Sequence, residues 1–210
     1  VSKLCQQYQA VFHSDTVQTF GHYQLDVQTV PIDFLSGAAH KFHGPKGVGF
    51  LYRKKINKIE PQIHGGGQER GMRSGTENVS GIVGLAKAAE IAYAHLEKEM
   101  QQIKALKQYT IEQLNEKISN ISFNGPTDDR ALYTVLNIAL PNNNKTAMII
   151  FALDMEGICV SGGSACNSGA IMGSPVIQAL GKQNDTVPIR ISFSKNTTKK
   201  EIDVFVEKLA

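Results

Sequence analysis

Cysteine is scarce in this 210-residue chain: Cys5, Cys159 and Cys166 are the three present, an odd number with no close pairing pattern. That excludes a disulfide-stapled scaffold and fits a reducing compartment, so a cytoplasmic location is expected. No Cys-x-x-Cys or His-x-x-x-His spacing occurs, and no metal site is expected. Long apolar runs are missing as well, and so is the pattern of a signal peptide, which leaves no expectation of a membrane role. Charge of one sign is also in short supply. The 22 Lys and Arg stand against 19 Asp and Glu, a net charge of +3, and the lysines are scattered, which argues against nucleic acid as a partner. The one basic cluster, Arg53, Lys54, Lys55 and Lys58, reads as a solvated loop. There is no internal repeat and no low-complexity segment.

What is present is ordinary in bulk and unusual in a few places. Hydrophobic residues make up 41% and charged residues 20%, the proportions of a globular protein. The length suits one large domain or two modest ones with their own cores. Val1 opens inside a stretch that reads as a helix, Ser2 to Tyr8, with no start signal, so the chain is expected to be a piece of a longer protein.

The stretch Ala39-His40-Lys41-Phe42-His43-Gly44-Pro45-Lys46-Gly47-Val48-Gly49 organises the rest. A lysine follows an apolar run, is flanked by histidines, and precedes Gly-Pro-Lys-Gly turn chemistry that lets backbone bend sharply. Lysine forms Schiff bases with aldehydes when its amine loses a proton, although an isolated lysine at such a junction is more often only exposed. Ala10 to Ser14 reads as a short buried strand ending at Asp15, with a turn over Thr16 to Gly21. Asp15 is therefore either at the ligand-binding end of a strand in an α/β sheet or a cap on the next turn. Val30 to Gly37 and Gly47 to Tyr52 read as two further strands, neighbours in one sheet with Lys41 in the loop between them.

Gln62 to Asn78 carries five glycines and two arginines, the composition of a loop that contacts anions through N–H groups and guanidinium forks. Within it, Ser74-x-x-Glu77 matches a capping box, so Ser74 or Thr76 is expected to start a helix. From Asn78 to Ile118 the apolar spacing is helical, with a bend or domain bridge expected near Glu97-Lys98-Glu99. The remainder reads as a small α/β unit. Its expected strands are Ile121–Phe123, Thr134–Leu140, Ile158–Val160 and Ile189–Phe193. Its expected helices are Lys145–Glu156, Ser174–Leu180 and one begun by Thr198-x-x-Glu201. The domains are accordingly placed at residues 1–97 and 98–210.

Cys159, in an apolar strand, fits a buried small hydrophobe. Cys166 does not: Val160-Ser161-Gly162-Gly163-Ser164-Ala165-Cys166-Asn167-Ser168-Gly169 is too small-residue-rich to pack a core, so its thiol is either an exposed nucleophile or a harmless loop thiol. Arg190 stands between Ile189 and Ile191 in an alternating strand, where an arginine is usually at the surface and near a site clamps a carboxylate.

The segments HSDTVQTFG, AHKFHGPKGVGFLY, HGGGQERGMRSGTEN, SGGSACNSG and IRISFSKNTTKKEID, in that order, resemble the cysteine desulfurases of the NifS/IscS type within the class V aminotransferases. The resemblance implies an α/β fold: part of the fold type I large domain, with a mostly parallel sheet and helices, joined by a long helix to a small α/β domain that carries the reactive cysteine loop. It implies pyridoxal 5′-phosphate as cofactor, held covalently by Lys41. Asp15 then faces the pyridine nitrogen, Gln18 the ring hydroxyl, and His40 the phosphate. Thr76 reaches the phosphate across a homodimer interface. Arg190 clamps the carboxylate of the substrate L-cysteine, and Cys166 takes its sulfur as a persulfide for an acceptor or iron–sulfur scaffold protein, serving iron–sulfur assembly or tRNA thiolation.

Two departures from the family pattern stand out. Ala38 occupies the position of a phosphate-binding hydroxyl, at a cost of about 1 kcal/mol. Nothing in the chain matches the family's amino-terminal half, so the 210-residue segment alone is expected to bind cofactor poorly and turn over little. A selenocysteine lyase or another class V enzyme, and a non-catalytic interaction module, are the alternatives.

Overall fold

A computed structural model of the chain describes residues 1–55, 59–162, 174–181 and 186–210. It divides into two units, Val1–Glu97 and Lys98–Ala210.

In the first unit a short helix α1, Ser2–Gln7, precedes β1, His13–Asp15, β2, Phe34–Ala38, and β3, Gly49–Arg53. The sheet order is β1-β2-β3, with β1 parallel to β2 and β3 antiparallel to it. β1 is thus an edge strand among the described residues, and its His13 and Asp15 are exposed, against the expectation of a buried strand. β2 starts at Phe34, later than expected from Val30. Pro31 has no N–H to give a ladder, and the Asp33 carboxylate accepts the Phe12 N–H at 2.9 Å. Between β2 and β3 a 3-10 turn, Ala39–Phe42, buries Ala39 and Phe42 completely or nearly so. They form the centre of this unit's core with Ala92, against Phe20, Val48, Leu85, Ala88 and Ala89.

The helical stretch is two helices, α2 over Val79–Ala94 and α3 over Leu96–Lys117. The break falls at His95, whose φ of −113° and ψ of 6° leave the helical region, a little ahead of the expected bend. The start of α2 also differs from expectation. Asn78 is its cap, with Oδ1 accepting the Gly81 N–H at 3.1 Å. Ser74 is buried in the preceding loop, and its hydroxyl donates to the Gly66 carbonyl at 2.7 Å. The serine whose spacing matched a cap is spent on loop closure.

The second unit has an antiparallel sheet in the order β4-β5-β6, formed by Ser122–Phe123, Val135–Pro141 and Thr186–Ser192. α4, Ile149–Met155, α5, Pro175–Ala179, and α6, Lys199–Leu209, complete it. α3 buries Ile103, Leu106, Lys107, Thr110, Ile111 and Leu114, the three- and four-residue spacing of one helical face. α6 buries Ile202, Phe205, Val206 and Leu209. Tyr109 of α3 donates its hydroxyl to Asp203 of α6, and Lys199 Nζ lies 4.2 Å from the Tyr109 ring centre. Burying Lys107 favours loss of its charge and moves its pKa down, while its ammonium donates to the Leu132 carbonyl at 3.1 Å.

The expected strand over Ile158–Val160 does not form; Ser161 alone bridges to Arg190. Cys159 is exposed and stands outside any strand, correcting its reading as a core residue. It lines a cavity of about 410 Å³ with Met148, Ile150, Phe151, Val160 and Val187. Among the described residues no helix is long and apolar enough to cross a membrane, and no cluster of three metal-ligating side chains is present.

Candidate active site

The parallel pairing of β1 and β2 sets the geometry. His13, Ser14 and Asp15 lie in register with Phe34, Leu35 and Ser36. Neighbouring strands run about 4.8 Å apart, so Asp15 ends β1 one strand away from Ser36. β2 continues only to Ala38 before the 3-10 turn that holds His40 and Lys41. Asp15, His40 and Lys41 therefore share the carboxyl-terminal edge of a parallel strand pair, where α/β sheets bind ligands.

Each side is locked locally. The Val17 N–H donates to Asp15 Oδ1 at 2.9 Å, which fixes the carboxylate through one oxygen. Thr16, 3% exposed, gives both its N–H (2.9 Å) and its hydroxyl (2.8 Å) to the Ser36 carbonyl. The turn that follows carries an exposed Gln18. On the Lys41 side, Ala39 and Phe42 point into the core because residues three apart share a face of a 3-10 helix, leaving His40 exposed and Lys41 half-buried. His43 then enters the left-handed region at φ 65°, and the Gly44 N–H returns to the Ala39 carbonyl at 2.9 Å. A Cβ on Gly44 would sit 2.8 Å from Ala39 Cβ, so the glycine of the motif is a packing requirement.

Two histidines that sequence reasoning passed over also belong here. His13 Nε2 is 3.1 Å from the Ser36 hydroxyl, and His22 Nε2 is 3.0 Å from the Lys41 carbonyl oxygen. Both reach residues far along the chain, and no local pattern announces them.

Thr76 is exposed on the glycine-rich loop before α2. That loop closes through Ser74 N–H to the Ile63 carbonyl (3.2 Å) and Gly75 N–H to Gln68 Oε1 (3.2 Å). Glu69 and Arg70 adopt φ of 48° and 58°, a left-handed conformation that costs about 1–2 kcal/mol per residue outside glycine.

Arg190 belongs to the second unit. Its backbone N–H and carbonyl both pair with Ser161, and it is flanked by Ile189 and Ile191, both buried. Its Nε is buried without a hydrogen-bond partner among the described residues. An unpaired buried donor is costly and rare, and a guanidinium so placed suits a ligand carboxylate. Cys166 lies outside the described residues.

Lys41, Asp15 and His40 supply an amine, a carboxylate and an imidazole on one sheet edge, and Gln18 adds an amide from the turn after β1. That donor set fits an aldehyde-bearing, nitrogen-containing aromatic phosphate.

Comparison with known proteins gives the same direction. The family model for aminotransferase class-V matches residues 1–205. The cysteine desulfurase IscS of Dictyoglomus turgidum is 39% identical over 218 residues, covering 100% of this chain and 53% of that relative. The structure of a NifS-like protein from Rickettsia africae superimposes with a TM-score of 0.86 at 31% identity, covering 99% of this chain and 55% of that one. That of SspA in complex with cysteine gives a TM-score of 0.70 at 32% identity over 94% of this chain and 54% of that one. The chain thus spans about half the length of the curated relatives it matches. With the family model matched over residues 1–205 and the fold agreeing, the chain belongs to the aminotransferase class-V family.

Proposed function

We propose that this chain carries the lysine- and cysteine-bearing part of a pyridoxal-phosphate-dependent cysteine desulfurase, which converts L-cysteine to L-alanine and passes the sulfur to Cys166. The observation that carries this reading is the placement of Asp15 and Lys41 at one end of the β1–β2 pair. The similarity to proteins named as cysteine desulfurases supports it.

Bound pyridoxal phosphate supplies an electron sink for the pair released at the substrate's α-carbon. The remaining work falls to the chain's own side chains. Lys41 Nζ would hold the cofactor aldehyde and, once the substrate amine has displaced it, would be free to move a proton at the α-carbon. The Asp15 carboxylate, steadied by Val17, keeps a positive charge on the ring nitrogen. Gln18 meets the ring hydroxyl, and His40 and Thr76 meet the phosphate, Thr76 from the second subunit of a homodimer. Arg190 orients the substrate carboxylate through the guanidinium whose Nε has no hydrogen-bond partner among the described residues.

The Cys166 thiolate attacks the substrate sulfur, forming an S–S bond as the C–S bond breaks. The bonding pair stays on the substrate carbon, which takes a proton and leaves as alanine, and Cys166 retains the persulfide. A sulfur-acceptor protein, of iron–sulfur assembly or tRNA thiolation, then removes it.

The test is alanine release from L-cysteine by the full natural polypeptide supplied with pyridoxal phosphate. Wild type should release alanine, and Cys166→Ser should keep the bound cofactor while losing persulfide formation. A Cys166→Ser variant that still forms protein persulfide would contradict the assignment.

A further inference from the structure

The turn after β1 and the turn after β2 are joined at three consecutive residues. The Phe20 ring packs on Phe42 with centroids 5.3 Å apart, and on Phe50 and Tyr93 at 4.7 and 5.5 Å. Gly21, at φ 79°, lies so close to Phe42 that a Cβ there would meet Phe42 Cβ at 2.8 Å. His22 then sets its Nε2 3.0 Å from the Lys41 carbonyl oxygen. A carbonyl only accepts, so Nε2 carries the proton in this bond.

Carbonyls at the end of a helical turn lack partners within it. Rotation of the peptide between Lys41 and Phe42 would redirect the Lys41 side chain, because that peptide's orientation is coupled to the ψ of Lys41. Phe42, 2% exposed, anchors one end of this peptide in the core. His22 holds the other through the carbonyl oxygen.

We infer that His22 is a positioning residue for Lys41: its Nε2–H fixes the Lys41 carbonyl and so ties the turn that follows Asp15 to the turn that presents the amine. This rests on the reading of Lys41 as the cofactor lysine. Nothing in the sequence around His22 signals the role, since the bond spans nineteen positions and ends on backbone.

The experiment measures how fast pyridoxal phosphate becomes borohydride-trapped on Lys41 in the full natural polypeptide, with thermal unfolding midpoints alongside. Wild type is compared with His22→Gln, which keeps an N–H donor, and His22→Met, of similar size without one. His22→Gln should stay within about threefold of wild type, and His22→Met should be slower by about tenfold at an unchanged midpoint, tenfold being about 1.4 kcal/mol. Equal rates for the two variants, whether both fast or both slow, overturn the inference. If His22→Met does not fold, His22→Gln decides: a rate near wild type supports the inference and a tenfold loss overturns it. Trapping in wild type at a lysine other than Lys41 overturns the cofactor reading itself, and the inference with it.

Discussion

Asp15 stands in register with Ser36 across the parallel β1–β2 pair, and Lys41 follows Ser36 by five residues. The carboxylate and the amine are brought to one sheet edge by strand pairing, and each is then held by its own turn. Asp15→Asn separates the structural and chemical duties of the carboxylate. The amide oxygen can still accept the Val17 N–H, so stability should change by no more than about 0.5 kcal/mol. Affinity for pyridoxal phosphate, measured by titration of its absorbance, should fall by roughly 10- to 100-fold, the about 1.5–3 kcal/mol of a charged hydrogen bond.

Gly21→Ala should be among the most damaging small substitutions. It places a Cβ at φ 79° and 2.8 Å from the Cβ of a core phenylalanine that cannot swing aside. Left-handed strain and overpacking together should cost roughly 2–4 kcal/mol, read from urea unfolding.

The start of α6 offers a test confined to the second unit. Thr198 and Glu201 form a reciprocal capping box, with Thr198 Oγ1 accepting the Glu201 N–H and Glu201 accepting the Thr198 N–H at 2.7 Å. Thr198→Ala should lower stability by about 1 kcal/mol.

Donation to the Glu201 carboxylate from the Thr198 N–H first, and from the Thr198 hydroxyl at 2.8 Å second, holds that carboxyl below its usual range. The lowered folded value means that this contribution is present above pH 4.5 and is lost as pH falls through the folded value. The stability gap between wild type and Glu201→Gln should therefore close on acidification; a gap constant from neutral to acid pH would contradict the cap's ionic character.

Cys159 is exposed at the rim of a cavity that Asp154 and several apolar side chains line, so it should react with a maleimide in the native protein, without denaturant. Peptide mass mapping reads this directly. Protection of Cys159 in the native state would contradict its placement outside the core.

How much of this could be read from sequence depended on the range of each interaction. Thr198-x-x-Glu201 and Ser74-x-x-Glu77 carry the same pattern, and only the first is a cap. In the second, the Ser74 hydroxyl is taken by the Gly66 carbonyl eight residues earlier, so α2 starts from Asn78. The strand ends near Asp15 and Lys41 were legible because β-forming residues and the Gly-Pro turn act over a few residues, although the burial of β1 was not. His22 was not, because its partner lies across the sheet edge, and Cys159 was misread because apolar neighbours alone do not make a strand. The break at His95 sits in a stretch whose apolar spacing runs on without proline.

On this reading Lys41, at the sheet edge it shares with Asp15, holds pyridoxal phosphate. Borohydride reduction of the full natural polypeptide incubated with pyridoxal phosphate, followed by peptide mass mapping, tests it most directly. One reduced adduct is expected, on Lys41, and it should be absent in Lys41→Ala along with the visible absorbance of the bound cofactor. An adduct on another lysine, or an absorbance that survives in Lys41→Ala, would contradict it.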